Sequence, residues 1–165
     1  MSKRFQAQKP SQPDRRSFLR TAGAASVLGM FPGVSSADDA PRKKKTVAAI
    51  ATIYTKNSHT DVLIGKILEG WEQTGGPGPN LKLASMYVDQ FPDGDLARKM
   101  SGKHGFPIFN TIEQAITLGQ DRVAVDGVIS IGEHGDYPWN DLGQHLYPRR
   151  RFFREIADTF EKHGQ

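Results

Sequence analysis

The chain has 165 residues, with 22 Lys and Arg against 18 Asp and Glu, and it contains no cysteine. Without thiols it has no disulfide, no thiolate metal site and no lipid-anchored N-terminal cysteine. Six of the basic residues and one acidic residue fall within residues 1–37, so the remainder is near neutral, and the net charge of +4 is no argument for nucleic-acid binding.

Near the start runs Asp14-Arg15-Arg16-Ser17-Phe18-Leu19-Arg20, followed by a weakly apolar Ala/Gly stretch. The adjacent Arg15 and Arg16, with the apolar pair Phe18 and Leu19 behind them, have the pattern of a twin-arginine export signal. Residues 21–34 include glycines and Pro32. They fall short of the ~20 apolar residues that span a bilayer, so no stable membrane anchor is expected. Ser35-Ser36-Ala37 offers small residues for cleavage after Ala37. Residues 1–37 are thus expected to be a signal peptide without fixed structure. Its partner during export is the twin-arginine translocase, and the mature protein is periplasmic or extracellular. Residues 38–45 end in Arg42-Lys43-Lys44-Lys45 and read as a solvated basic linker. The 128 residues from Asp38 onward suffice for one domain and one core.

The domain proper is expected over residues 46–165. Residues 46–54, nearly all apolar or β-branched, suit a strand buried on both faces. Thr60-Asp61 opens a helix in which Ile64, Ile67, Leu68 and Trp71 share one side, and Gly75-Gly76-Pro77-Gly78-Pro79 ends it. Residues 81–88 read as a second strand. Residues 93–103 read as a short polar helix that buries Leu96 and Met100 and stops at Gly105. Phe106-Pro107-Ile108-Phe109 suits a sheet edge, where proline is tolerated. Asn110-Thr111-Ile112-Glu113 suggests a cap with the glutamate reaching back, before a helix that closes at Gly119. Residues 125–131 form the fourth strand. Pro148 starts a last helix with Phe152, Phe153, Ile156, Ala157 and Phe160 along one face. Strict β-α alternation predicts an α/β fold: a Rossmann-like open parallel sheet with helices on both faces.

Such a sheet binds ligands at the carboxyl ends of its strands, where strand order reverses. Three loops converge there: residues 54–60, 89–94 and 132–145. In the first, Lys56, Ser58 and His59 precede a helix N-terminus and could receive an anion; alternatively Ser58 or Thr60 simply caps the helix. No glycine lies in this loop, which argues against a dinucleotide pyrophosphate in the usual pose. Asp89 follows the second strand, the place of a ribose-binding carboxylate, although Asp also ends strands for turn reasons alone. The third loop holds Glu133, His134, Asp136 and Tyr137 and is the richest candidate for contacting a small-molecule ligand, with Glu133, His134 and Tyr137 foremost. No second ligand motif supports a metal there. Trp139 and Tyr147 are expected to pack under the loop, and Arg149-Arg150-Arg151 to form a solvated first helical turn. No residue stands out as catalytic.

From residue 46 to 131 the chain resembles the N-terminal nucleotide-binding domain of the glucose–fructose oxidoreductase/inositol dehydrogenase (Gfo/Idh/MocA) family. The likeness rests on Lys103-His104-Gly105, on Asn110-Thr111-Ile112-Glu113-Gln114-Ala115 and above all on Val125-Asp126-Gly127-Val128-Ile129-Ser130-Ile131. It extends to the exported members of that family, which carry twin-arginine signals and are of unsettled role. The resemblance implies an oxidoreductase-like protein, NAD(P) as cofactor and Asp89 as the ribose ligand. The departures are the missing glycine-rich turn, the missing Glu-Lys-Pro motif with its catalytic lysine, and the missing C-terminal β-domain. They imply the front part of a longer protein, inactive by itself. The alternative is a non-catalytic periplasmic module that binds a small molecule on a Rossmann scaffold.

Overall fold

The computed structural model describes residues 43–164; the expected signal peptide, with Arg15, Arg16, Phe18 and Leu19, and the cleavage site at Ala37 lie outside the described residues. The elements alternate as the sequence predicts: β1 (Lys45–Ala51), α1 (His59–Glu69), β2 (Leu81–Val88), α2 (Ala97–His104), β3 (Ile108–Phe109), α3 (Ile112–Thr117), β4 (Gly127–Ile131) and α4 (Arg149–His163). All strand pairs are parallel, in the order β3-β2-β1-β4. The fold is therefore α/β, Rossmann-like, with the reversal of strand order between β1 and β4.

β1 is the spine. Ala48, Ala49, Ile50 and Ala51 are wholly buried, and alternate residues serve opposite faces. Val47, Ala49 and Ala51 join Ile64, Leu83, Met86 and Ala97, under α1 and α2. Ala48 and Ile50 join Ile112, Ala115, Ile116 and Phe152, under α3 and α4. Three alanines in one central strand let helices approach closely on both sides.

The sequence reading departs from the structure at several places. Trp71 lies in the turn beyond α1 and is 56% exposed, because Gly70 at φ +85° turns the chain away first. α2 begins at Ala97 rather than residue 93, with the Asp95 carboxylate accepting from the Ala97 amide at 3.2 Å. Glu113 does not reach back to cap α3: Thr111 caps it, and Glu113 instead binds Lys162 and His163 of α4. On α4 the buried side is Phe152, Ile156, Thr159 and His163, whereas Phe153, Ala157 and Phe160 face outward.

Candidate functional site

Main-chain bonds continue past the strands and gather the three loops at the carboxyl edge. Asp89 and Gln90 donate their amides to the carbonyls of Ala51 and Thr52, each at 2.9 Å, and Thr52 donates its own to Ile131 at 3.1 Å. The buried Thr52 hydroxyl also bonds the carbonyl of Glu133. Strand ends β1, β2 and β4 are thereby held side by side, which brings the backbone of Asp89 and of Glu133 to the same edge of the sheet.

The β1–α1 loop closes on itself. Ser58 is buried and caps α1, accepting from the Asp61 amide at 3.2 Å. The Asp61 carboxylate, also buried, accepts from the Asn57 amide at 2.9 Å. A carboxylate of the chain itself thus meets the positive end of α1, where a bound anion would otherwise sit. Lys56 is exposed and forms no ion pair among the described residues. The expected trio therefore splits: Ser58 serves as the helix cap, Lys56 stands in solvent, and only His59 joins a cluster.

That cluster lies at the reversal of strand order. His59 Nδ1 is 2.7 Å from Glu133 Oε2, and Arg149 Nη2 is 2.9 Å from Glu133 Oε1. The His134 ring lies 4.7 Å from that of His59, and His134 itself adopts φ +65°. Below them is a cleft of about 430 Å³, with Leu63 and Ile131 as its apolar wall and Ser130, Gly132, His59, Glu133 and Arg149 as its polar rim. The Arg149 stem passes so close to Gly132 that a Cβ there would stand 2.9 Å from its Cγ.

Asp89 belongs to a second cluster. One carboxylate oxygen accepts from Tyr87 and from Arg151, each at 2.5 Å, and the other from Tyr137 at 2.7 Å. Burial works to raise this carboxyl, but the hydrogen bonds from Tyr137, Tyr87 and Arg151 outweigh it and hold it below its ordinary value. Burial and then the neighbouring Asp89 carboxylate raise the Tyr137 phenol well above its usual range. Beside this pair, the Gln90 amide grips the backbone of Asp136 with two bonds of 2.8 Å. Farther along, Trp139 stacks on His145 at 4.3 Å but stays exposed, correcting the expectation that it packs beneath the loop.

The turn Arg149-Arg150-Arg151 is exposed throughout, as expected, but Arg149 and Arg151 also pair with Glu133 and Asp89, which the sequence reading did not foresee. The signal in the sequence was their spacing of two on a helix entered directly from the richest loop. Thr52 and Gln90 carried no such signal.

These residues do not fit a dinucleotide. Side chains replace the glycines at the β1–α1 turn, Ser58 and Asp61 fill the helix end, and Asp89 is committed to Arg151 and both tyrosines. Among the described residues no group of three or more His, Asp or Glu side chains is placed to hold a metal ion, and no helix is long and apolar enough to cross a membrane. Compared with known proteins, the chain matches no family model, no curated protein and no solved structure.

Proposed function

We propose that the domain is a small-molecule-binding module whose ligand occupies the cleft between β4, α1 and the start of α4. The observation that carries this is the Glu133 carboxylate held between His59 and Arg149 over an apolar floor at the reversal of strand order. A carboxylate and a guanidinium side by side can accept and donate hydrogen bonds to one polar ligand, while Leu63 and Ile131 cover its carbon skeleton. Sugars, polyols and hydroxy acids have that mixed character. Thermal shift against such a panel tests the reading. A ligand at a hundred times its Kd adds ~2.7 kcal/mol of stability, and both Glu133→Gln and Arg149→Ala are expected to abolish the shift. A hit unaffected by either variant would place the ligand elsewhere.

A second reading, an oxidoreductase-like protein of the Gfo/Idh/MocA type, draws on the strand order β3-β2-β1-β4 with Asp89 at the end of β2. It requires Arg151 and Tyr137 to release Asp89. Titration with NAD⁺ and NADP⁺ separates the two readings: no binding excludes the second and leaves the first untouched. Both readings share export by the twin-arginine route, supported by the order of Arg15-Arg16, the apolar stretch and Ala37. An intact mass starting at Asp38 in protein from the native host is the expected result.

A further inference from the structure

Aspartate is followed by glycine twice in this chain, at Asp93-Gly94 and at Asp126-Gly127. Glycine brings no side chain against an attack of its own amide nitrogen on the preceding carboxyl, and it leaves the backbone free to turn. Both dipeptides therefore carry the same chemical hazard, and the fold treats them differently.

At Asp126 both carboxylate oxygens are occupied. Oδ1 accepts from Lys45 at 3.1 Å, and Oδ2 accepts from the Thr46 amide at 2.8 Å and the Thr46 hydroxyl at 2.9 Å. Gly127 is the first residue of β4, in register with Val47 of β1. Ring closure here would strip the carboxyl from three donors and lift Gly127 out of the sheet. The same bonds hold the carboxyl at about 2, so the neutral acid that closes most readily is scarce at neutral pH.

Asp93 stands at the tip of the β2–α2 loop. The Asp95 amide donates to the Pro92 carbonyl at 3.1 Å, and Gly94 at φ +80° gives the pattern of a type II turn. The base of the turn is pinned. The Asp95 carboxylate accepts from the Ala97 amide at 3.2 Å, and the Arg98 guanidinium lies 3.7 Å over the Phe91 ring. The tip is bare: Asp93 and Gly94 are both exposed, and nothing beyond the chain neighbours lies within 4 Å of where a Gly94 Cβ would stand. Among the described residues the Asp93 carboxylate has no hydrogen bond or ion pair, and the Gly94 amide has no acceptor. The peptide plane between them can turn over, from type II to type I, without breaking the Pro92–Asp95 bond.

We infer that Asp93-Gly94 is a site of spontaneous isomerisation to isoaspartate in the folded protein. The Gly94 nitrogen bonds to Cγ of the Asp93 carboxyl, and one water leaves, made of the carboxyl hydroxyl and the amide proton. Water then adds to either carbonyl of the five-membered imide. Opening at Cγ restores aspartate. Opening at the main-chain carbonyl leaves the chain running through Cβ, one methylene longer just ahead of Asp95, with the charge unchanged.

The test incubates the full chain in ¹⁸O-water at neutral pH, folded and in guanidinium chloride, until the unfolded sample shows reaction at both dipeptides. Peptide mapping reads the incorporated oxygen, and fragmentation reads the isoaspartyl linkage. Asp126 reacts only after the sheet opens locally, so in the folded chain Asp93 should react at least about tenfold faster. In guanidinium the two should react at comparable rates. Asp93→Glu, whose ring would need six members, should abolish the label in that peptide. Equal rates at the two sites in the folded chain overturn the inference, as does an Asp93 that reacts only when unfolded. Label that persists in Asp93→Glu overturns it too.

Discussion

Tyr137 reaches back 48 residues to donate its phenolic hydrogen to Asp89 at 2.7 Å. The bond ties the long loop after β4 to the end of β2, beside the clamp of Gln90 on Asp136. Tyr137→Phe removes one charge-assisted bond from a carboxylate that keeps Tyr87 and Arg151. The expected loss is ~1–2 kcal/mol, seen as a fall of a few degrees in Tm. An unchanged Tm would mean that the loop stands without this tie.

Asp126 accepts from the Thr46 amide at 2.8 Å, the Thr46 hydroxyl at 2.9 Å and Lys45 at 3.1 Å. These bonds, the backbone one foremost, lower its carboxyl to about 2. Because the folded value lies below the unfolded one of ~3.9, the stabilisation is complete above about pH 4 and is lost as pH falls toward the folded value. Urea midpoints of the wild type should drop across that window more steeply than those of Asp126→Asn. Parallel curves would contradict the prediction.

His163 behaves oppositely. Its ring stands 2.7 Å from Glu113 and 3.0 Å from the Asp121 carbonyl, and Glu113 foremost raises it above its ordinary value. The stabilisation is present below the unfolded histidine value and is lost as pH rises through the folded one. In an NMR titration, His163 should return to the ordinary imidazole range in Glu113→Gln, with the fraying of α4 at neutral pH increased.

Gly70 has φ +85°, and a Cβ there would stand 2.3 Å from the Gly76 carbonyl oxygen. The loop through Gly75-Gly76-Pro77 folds back on it, with the Trp71 amide bonded to the Pro77 carbonyl at 2.8 Å. Gly70→Ala therefore combines backbone strain with a clash against main chain. It should cost ~2–3 kcal/mol or more, measured by urea denaturation; Gly102→Ala, inside α2 with open space for the methyl, is the contrasting control and should gain up to ~1 kcal/mol.

The alternation of elements was legible in the sequence because apolar periodicity changes sharply between residues 46–54 and 60–71. The face of α4 was not. Phe152, Ile156, Thr159 and His163 share helical spacing, and so do Phe153, Ala157 and Phe160. The second set is the more apolar, but the first is buried because the Thr159 hydroxyl satisfies itself on the Glu155 carbonyl and His163 finds Glu113. Hydropathy cannot see those partners. The three loops of the candidate site followed from topology, and their joining at the strand ends is observed. The partners within them were hidden: Arg151 lies 62 residues from Asp89, and nothing local to either residue announces the other.

Beyond its fastening at Asp136 and Tyr137, the long loop closes on itself, with the Asn140 side chain accepting from the amides of Leu142 and Gln144. Leu142 is 83% exposed, and nothing approaches Gly143. In a chain without cysteine, Leu142→Cys would supply a single thiol for a fluorescent dye. Such a label would touch neither the rim of the cleft nor the Asp89 cluster. Its polarisation would nevertheless report, in real time, whether an arriving molecule leaves the loop moored or sets it adrift.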